Sequence, residues 1–248
     1  MLTLNDIHFS LGAHQILRGI SFAVPKSETL GIIGPNGSGK TTLFNCLSGF
    51  NDLDSGSISL AGADITRTAP FQRANLGIGR VFQNFGIFRE MTVLDNMLVA
   101  LESKAGLIKT FFQGGEKSRQ VISQSLDALE QVGLREKSAA LASSLSGGQM
   151  RLLEIARTLA AGAELILLDE PTAGVSPIMK EEVGAFIQKL KTLGRTVLII
   201  EHDINFIQKF CDRIIVLDGG KVIMDGTPAQ VRASKQLEEI YFGTQGSF

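Results

Sequence analysis

Residues 29–49 read "TLGIIGPNGSGKTTLFNCLSG". An apolar run of β-forming residues ends in glycine, as a buried strand does before a turn. Gly34 to Thr41, "GPNGSGKT", then fits the phosphate-binding pattern G-x-x-x-x-G-K-[ST]. A helix is expected over Thr41 to Ser48, with Gly49 as its stop. Strand, glycine-rich loop and helix in this order are the context the pattern needs. Gly34, Gly37 and Gly39 let the backbone wrap an anion with no side chain in the way. The amides of Gly37, Ser38, Gly39, Lys40, Thr41 and Thr42 would face the phosphates, aided by the helix N-terminus. Pro35 and Asn36 complete the loop. Lys40 would bring a cation to the β- and γ-phosphates, and the Thr41 hydroxyl would hold Mg²⁺. The reading implies an α/β fold of the P-loop NTPase type.

A second stretch has the same logic. Leu165 to Pro171, "LILLDEP", is a buried strand ending in two acids. Ligands of open α/β sheets bind outside the carboxyl ends of the strands. Asp169 there would complete the Mg²⁺ shell opposite Thr41. Glu170, next to it, is suited to polarise an attacking water.

A third stretch raises a question. "SLSGGQMRLLEIARTLA", residues 144–160, has the apolar spacing of an amphipathic helix, and Ser146 with Gln149 forms a capping-box pattern. Yet Gly147 and Gly148 open the first turn, where each costs a helix roughly 1 kcal/mol relative to alanine. A helix N-terminus with bare glycine amides and the Ser146 hydroxyl makes a phosphate clamp, and a larger side chain at Gly148 would hold the backbone away from the phosphate.

Around these motifs the chain divides by pattern. "LTLNDIHF" and "SISLAG" alternate as half-buried antiparallel strands do. From roughly Arg89 to Leu141 strand signals fade and "MTVLDNMLVALE" and "EKSRQVISQSLDALEQVG" have helical spacing, which indicates a helical lobe inserted into the α/β protein. After it, "LILLD", a helix over about Pro177 to Thr192, and "TVLII" indicate a parallel sheet buried on both faces. "RIIVLDGGKVIMDG" is a hairpin with Gly219 and Gly220 near its turn, and the tail "PAQVRASKQLEEIYFG" is one helix with a short end.

The bulk numbers fit an ordinary soluble globular protein, long enough for one large domain or two lobes. The chain has 248 residues, 44% hydrophobic and 20% charged, with 24 basic against 25 acidic residues. That balance gives no nucleic-acid footprint. No apolar run nears the ~20 residues of a membrane span, and the N-terminus has no signal-peptide pattern. The two cysteines, Cys46 and Cys211, form neither a disulfide framework nor a zinc cluster and read as reduced thiols of a cytosolic protein.

"GPNGSGKT", "LSGGQ" and "LILLDEP", in that order, resemble the nucleotide-binding subunits of ABC transporters over nearly the whole chain. "RVFQNFGIFREMTVLDNMLVA", "AGVSP", "IIEHD" and "IYFG" look most like the ATPases of branched-chain amino-acid and urea importers; the lipopolysaccharide-export ATPase shares several of these features. The resemblance implies one nucleotide-binding domain over 1–248. Its catalytic lobe spans about 1–88 and 161–248, with a mostly parallel core sheet and an N-terminal antiparallel β-subdomain, and its inserted helical subdomain spans about 89–160. It implies ATP and Mg²⁺ as cofactors. A head-to-tail dimer, of like or unlike ATPases, would set Ser146, Gly147, Gly148 and Gln149 of one subunit against the nucleotide on the other's P-loop.

Further residues carry over singly. Gln83 matches the Q-loop glutamine, which reaches Mg²⁺ and the water, and His202 matches the switch histidine at the γ-phosphate. Gly174 to Pro177 match the D-loop, with Ser176 where Asp or Asn is common. Leu11 stands where the family usually stacks an aromatic residue on adenine. The resemblance further implies two transmembrane permease subunits, an extracytoplasmic solute-binding protein and a peripheral place on the cytoplasmic face of the membrane. Phe82, Phe85 and Phe88 either line a groove for a permease helix or pack in the core. Residues 106–118, "GLIKTFFQGGEKS", read as ordinary packing, with an apolar loop near the membrane as the alternative. The rival class is a soluble ABC protein of translation or DNA repair; one cassette without long heptads or zinc spacing speaks against it.

Overall fold

The computed structural model describes residues 1–83, 86–105 and 116–234. Among these residues, ten strands form two sheets. The antiparallel sheet holds β1 (Leu2–Leu11), β2 (His14–Val24), β4 (Ser55–Leu60) and β5 (Ala63–Asp64) in the order β2-β1-β4-β5. The six-stranded sheet runs β10-β9-β3-β8-β7-β6. It contains β3 (Thr29–Ile33), β6 (Ile78–Val81), β7 (Leu165–Asp169), β8 (Thr196–Ile200), β9 (Arg213–Asp218) and β10 (Lys221–Gly226). Its strands are parallel except β10, which turns back antiparallel on β9. The helices are α1 (Lys40–Ser48), α2 (Pro70–Asn75), α3 (Val93–Ala105), α4 (Glu116–Gln131), α5 (Gly147–Ala160), α6 (Pro177–Thr192), α7 (Ile204–Phe210) and α8 (Pro228–Arg232).

The strand period of two divides the core. Leu30, Ile32, Leu165, Leu167, Leu198 and Ile200 face the antiparallel sheet and the Leu43, Phe44 and Leu47 side of α1. Ile33, Ile166, Leu168, Val197 and Ile199 face the other way, onto α5, α6 and α7. Strands covered on both faces are largely apolar, which is why Leu30–Ile33, Leu165–Leu168 and Val197–Ile200 read as near-continuous hydrophobic runs.

The expected helix after the glycine-rich loop is present, starting one residue earlier, at Lys40, and Gly49 ends it in the left-handed region at φ 81°. Buried Arg73 of α2 donates to the carbonyls of Cys46 and Leu47 at 2.6 and 2.9 Å, supplying the orphan acceptors of the last turn of α1. Gly219 and Gly220, at φ 50° and 79°, make the β9–β10 turn. Two positive φ values suit a two-residue hairpin, because that backbone hand matches the strand twist. The helix at Pro177–Thr192 lies where its pattern put it, and Ser176 caps it, its Oγ accepting from the Met179 amide at 3.4 Å. Of the tail, Pro228–Arg232 is helical. Phe85, most of "GLIKTFFQGGEKS" and the "IYFG" ending lie outside the described residues. Both cysteines are free and buried.

Candidate active site

The carboxyl ends of β3, β7 and β8 open onto one cleft of about 260 Å³. The glycine-rich loop after β3 supplies Asn36, Gly37, Gly39, Lys40, Thr41 and Thr42; Glu170 comes from the end of β7 and His202 from the end of β8. Three stretches far apart in sequence meet here because parallel strands place their carboxyl ends on the same edge.

Loop geometry explains its residues. A Cβ on Gly34 would collide with the Leu217 carbonyl, whereas Gly37, at φ +80°, has open space before it. The Ser38 hydroxyl is buried with no hydrogen-bond partner among the described residues. An orphaned hydroxyl in a loop of left-handed glycines fits a cradle for a polyphosphate. Lys40 Nζ donates to the carbonyls of Gly34 and Pro35 at 2.8 and 3.0 Å. Burial lowers the Lys40 pKa, and the Glu170 and Asp169 charges oppose that shift.

At the cleft's mouth, Glu170 is held from both sides. Gln83 Nε2 donates to Glu170 Oε2 at 2.9 Å, and His202 Nε2 lies 3.0 Å from Oε1. The Glu170 backbone is in the left-handed region at φ 48°, as are those of Asp6, Ser27 and Ala61 outside the cleft, a conformation uncommon for a residue with a Cβ. Its amide donates to the Ile200 carbonyl at 2.9 Å, pinning the strained residue between β7 and β8. Asp169, one residue earlier, is buried and pairs with Arg80 at 2.8 Å.

None of the residues lining this cleft comes from the helix opened by two glycines. Its capping box is formed: Ser146 Oγ accepts from the Gln149 amide at 3.3 Å, and Gln149 Oε1 accepts from the Ser146 amide at 3.2 Å. The two glycines differ. A Cβ on Gly148 would lie 2.7 Å from Met179 Cβ, so close packing against α6 requires that glycine. A Cβ on Gly147 would approach only the Gly174 carbonyl, at 3.9 Å. Of the two, Gly147 is therefore the open position. Leu11 is 70% exposed at the end of β1, and Ile16 of β2, not Leu11, lines the cleft.

A sequence comparison places this arrangement. The model of the family described as "ABC transporter" matches residues 17–173. The chain belongs to the ABC transporter family. It is 36% identical to the high-affinity branched-chain amino acid transport ATP-binding protein BraF of Pseudomonas aeruginosa, over 98% of both chains. It is also 36% identical to the lipopolysaccharide export system ATP-binding protein LptB of Haemophilus influenzae, over 99% of this chain and 98% of that one. Among solved structures, it is similar to the ADP conformation of an ATP-binding cassette of an ABC transporter, with TM-score 0.87, 34% identity and 98% of both chains covered. A second is a dimeric, post-hydrolysis ATP-binding cassette bound to ADP and Pi, with TM-score 0.77, 26% identity and 92% and 99% covered. As a member of this family the chain is an ATP-binding, ATP-hydrolysing transporter subunit.

Within the ABC frame, several residues that sequence reasoning missed tie the motifs together. Arg151, on the helix after the "LSGGQ" motif, donates to the Phe82 and Gln83 carbonyls at 2.5 and 2.9 Å. Glu154 accepts from the Gly86 amide at 2.6 Å and pairs with Arg151, while Arg157 donates to the Gly86 carbonyl. Burial raises the Glu154 pKa, and the Gly86 amide and the arginines counter it. Buried Glu201 accepts from the Thr172 amide and hydroxyl and from the His202 amide, which fixes the loop after Glu170 to His202. "MRLLEIAR" carries a signal in hindsight: Arg, Glu and Arg at three-residue spacing on a face that is otherwise apolar.

Proposed function

We propose that this chain powers import of a small polar solute, such as branched-chain amino acids or urea, by closing as a head-to-tail dimer over ATP. The observation that carries the reading is the Gln83–Glu170–His202 network at the mouth of the glycine-rich cleft. Glu170 would orient the attacking water in line with the γ-phosphate. Gln83 and His202, already on its two oxygens, would hold it in that pose. Lys40 would leave the loop carbonyls for the phosphates and, with His202, stabilise charge on the transferring group.

Thr41, Gln83 and Asp169 suit a divalent cation in number and in hard oxygen donors; Mg²⁺ held there would neutralise charge on the β- and γ-phosphates. The Ser146–Gln149 cap and the open Gly147 backbone would meet the γ-phosphate on a partner subunit's loop. Such contacts on both sides of the nucleotide favour the closed over the open dimer, which is what lets ATP shift that equilibrium.

No described helix is long and apolar enough to cross a membrane. The conduit would be two separate permease subunits, this chain lying peripherally on the cytoplasmic face, with an extracytoplasmic solute-binding protein serving the system. The half-exposed rings of Phe50, Phe82 and Phe88 near Gln83 suit a permease helix. Similarity to a lipopolysaccharide-export ATPase at the same identity supports export as the second reading.

The test is affinity purification from gently solubilised native membranes. Two permeases of importer type, with or without a second ATPase, are expected. Exporter-type membrane partners would move the second reading first, and soluble partners alone would end the transport reading.

A further inference from the structure

The side chain of Arg80 lies where three parts of the site converge. It stands near the end of β6 and is nearly buried, as is its partner Asp169. One guanidinium nitrogen, Nη2, donates to Asp169 Oδ2 at 2.8 Å. The other, Nη1, donates to Asn45 Oδ1 at 2.7 Å and reaches Ser48 Oγ at 3.4 Å. Asn45 and Ser48 belong to α1, the helix that carries Lys40 and Thr41 in its first turn. The guanidinium carbon, Cζ, also lies over the Phe82 ring, 4.7 Å from its centroid, and over the Phe44 ring at 5.7 Å. Phe82 precedes Gln83 and contacts the ring of Phe50 at 6.1 Å.

We propose that Arg80 is a positioning residue for the divalent-cation site: it fixes the Asp169 carboxylate against the helix bearing Thr41 and ties both to the Phe82 ring beside Gln83. The inference rests on the reading that Thr41, Gln83 and Asp169 hold the cation. Those three residues come from α1, β7 and the turn after β6, and no backbone ladder joins α1 to the other two. A planar fork of fixed geometry spans that gap with two directed hydrogen bonds while its Cζ lies over an aromatic ring; a lysine has no such fork. By binding Oδ2, Arg80 sets the rotation of the carboxylate and leaves Oδ1 free of that bond. Partners of this kind orient metal ligands, and their loss typically weakens metal affinity by about 10- to 100-fold.

The experiment measures binding, not turnover. In the full chain carrying Glu170→Gln to prevent hydrolysis, the affinity for ATP is measured by calorimetry in EDTA and across a Mg²⁺ titration. Arg80→Gln is expected to leave the affinity in EDTA within about twofold and to raise the Mg²⁺ concentration at half effect by about 10- to 100-fold. Arg80→Lys, which keeps the charge and secures the fold, is expected to fall between. A parent-like Mg²⁺ titration in both variants would overturn the proposal. So would a tightened one, which would make Arg80 a competitor of the cation, or an equal loss with and without Mg²⁺, which would mark a merely structural role. Asp169→Asn separates the two levels. If it shifts the Mg²⁺ titration and Arg80→Gln does not, the positioning role fails alone; if it leaves the titration unchanged, the reading of the cation site fails.

Discussion

Replacing Gly147 and Gly148 one at a time by alanine separates the two reasons a helix can open on glycine. Neither residue has a positive φ, so alanine fits the backbone at both. At Gly148 the added methyl would lie 2.5, 2.7 and 2.9 Å from Met179 Cε, Cβ and Cγ. The Cβ contact involves the rigid base of that side chain, so α5 and α6 must separate. Overpacking of this kind costs about 1–3 kcal/mol, and removing a helical glycine returns up to about 1 kcal/mol. The expected net loss is up to about 3 kcal/mol, and Met179→Ala in the same chain should recover part of it, because it removes two of the three contacts.

At Gly147 the methyl meets only a carbonyl oxygen at 3.9 Å. Gly147→Ala should therefore be as stable as the parent or up to about 1 kcal/mol more so. If its bare backbone approaches a partner's γ-phosphate, ATP turnover should nevertheless fall about 100-fold, the scale of losing one transition-state donor. Urea unfolding and steady-state ATP hydrolysis, measured on the same preparations, give both numbers. Full turnover in Gly147→Ala would refute the phosphate role of that position, and an unimpaired, equally stable Gly148→Ala would refute the packing argument.

Glu170→Gln keeps the side-chain shape and should retain ATP binding while turnover falls by about 10²–10⁴-fold, as for loss of a general base; full turnover measured by phosphate release would remove Glu170 from that role. In the β9–β10 turn, a Cβ on Gly220 would strike the Ile16 carbonyl while Gly219 is open. Gly219→Asn should cost under about 1 kcal/mol, since asparagine tolerates the left-handed region, and Gly220→Ala distinctly more; equal urea midpoints would contradict this. Burial pushes the Cys46 thiol up to about 12. The unfolded thiol ionises near 9 and the folded one does not, so below pH 9 the cysteine adds no pH dependence. Above it, stability should fall by about 1.4 kcal/mol per pH unit from this residue until the folded thiol ionises. Unfolding at pH 9 and 11 should show a shallower decline in Cys46→Ala, and identical slopes would refute the shift.

What could be read in the sequence is what local physics fixes. Gly34–Thr41 between a strand and a helix, two acids at the end of "LILLD", and serine with glutamine around a helix start each carry their reason within about ten residues. The structure bears out the helix at Pro177–Thr192 and the Gly219–Gly220 turn on the same ground. β6, Ile78–Val81, was not legible: four residues with Gly79 and Arg80 in the middle show neither alternation nor an apolar run. It is a strand because β7 lies beside it, pairing Ile78 to Leu165 through Val81 to Leu168.

The illegible strand carries much of the site's organisation. The turn after β6 delivers Gln83 to Glu170, and Arg80 within it reaches Asp169 at the end of the next strand. A charged residue inside a strand reads locally as a surface position. Only the parallel register, which sets Arg80 opposite Leu167 and two residues from Asp169, turns it inward. The same holds for Arg151 and Glu201, buried polar residues in apolar surroundings whose partners lie 68 and 29 residues away. A buried charge is tolerated only where its hydrogen bonds are met, so each such residue presupposes a long-range contact. The groups expected to touch nucleotide are thus written into short motifs, whereas the groups that hold them in place become visible only when the sheet has brought distant segments together.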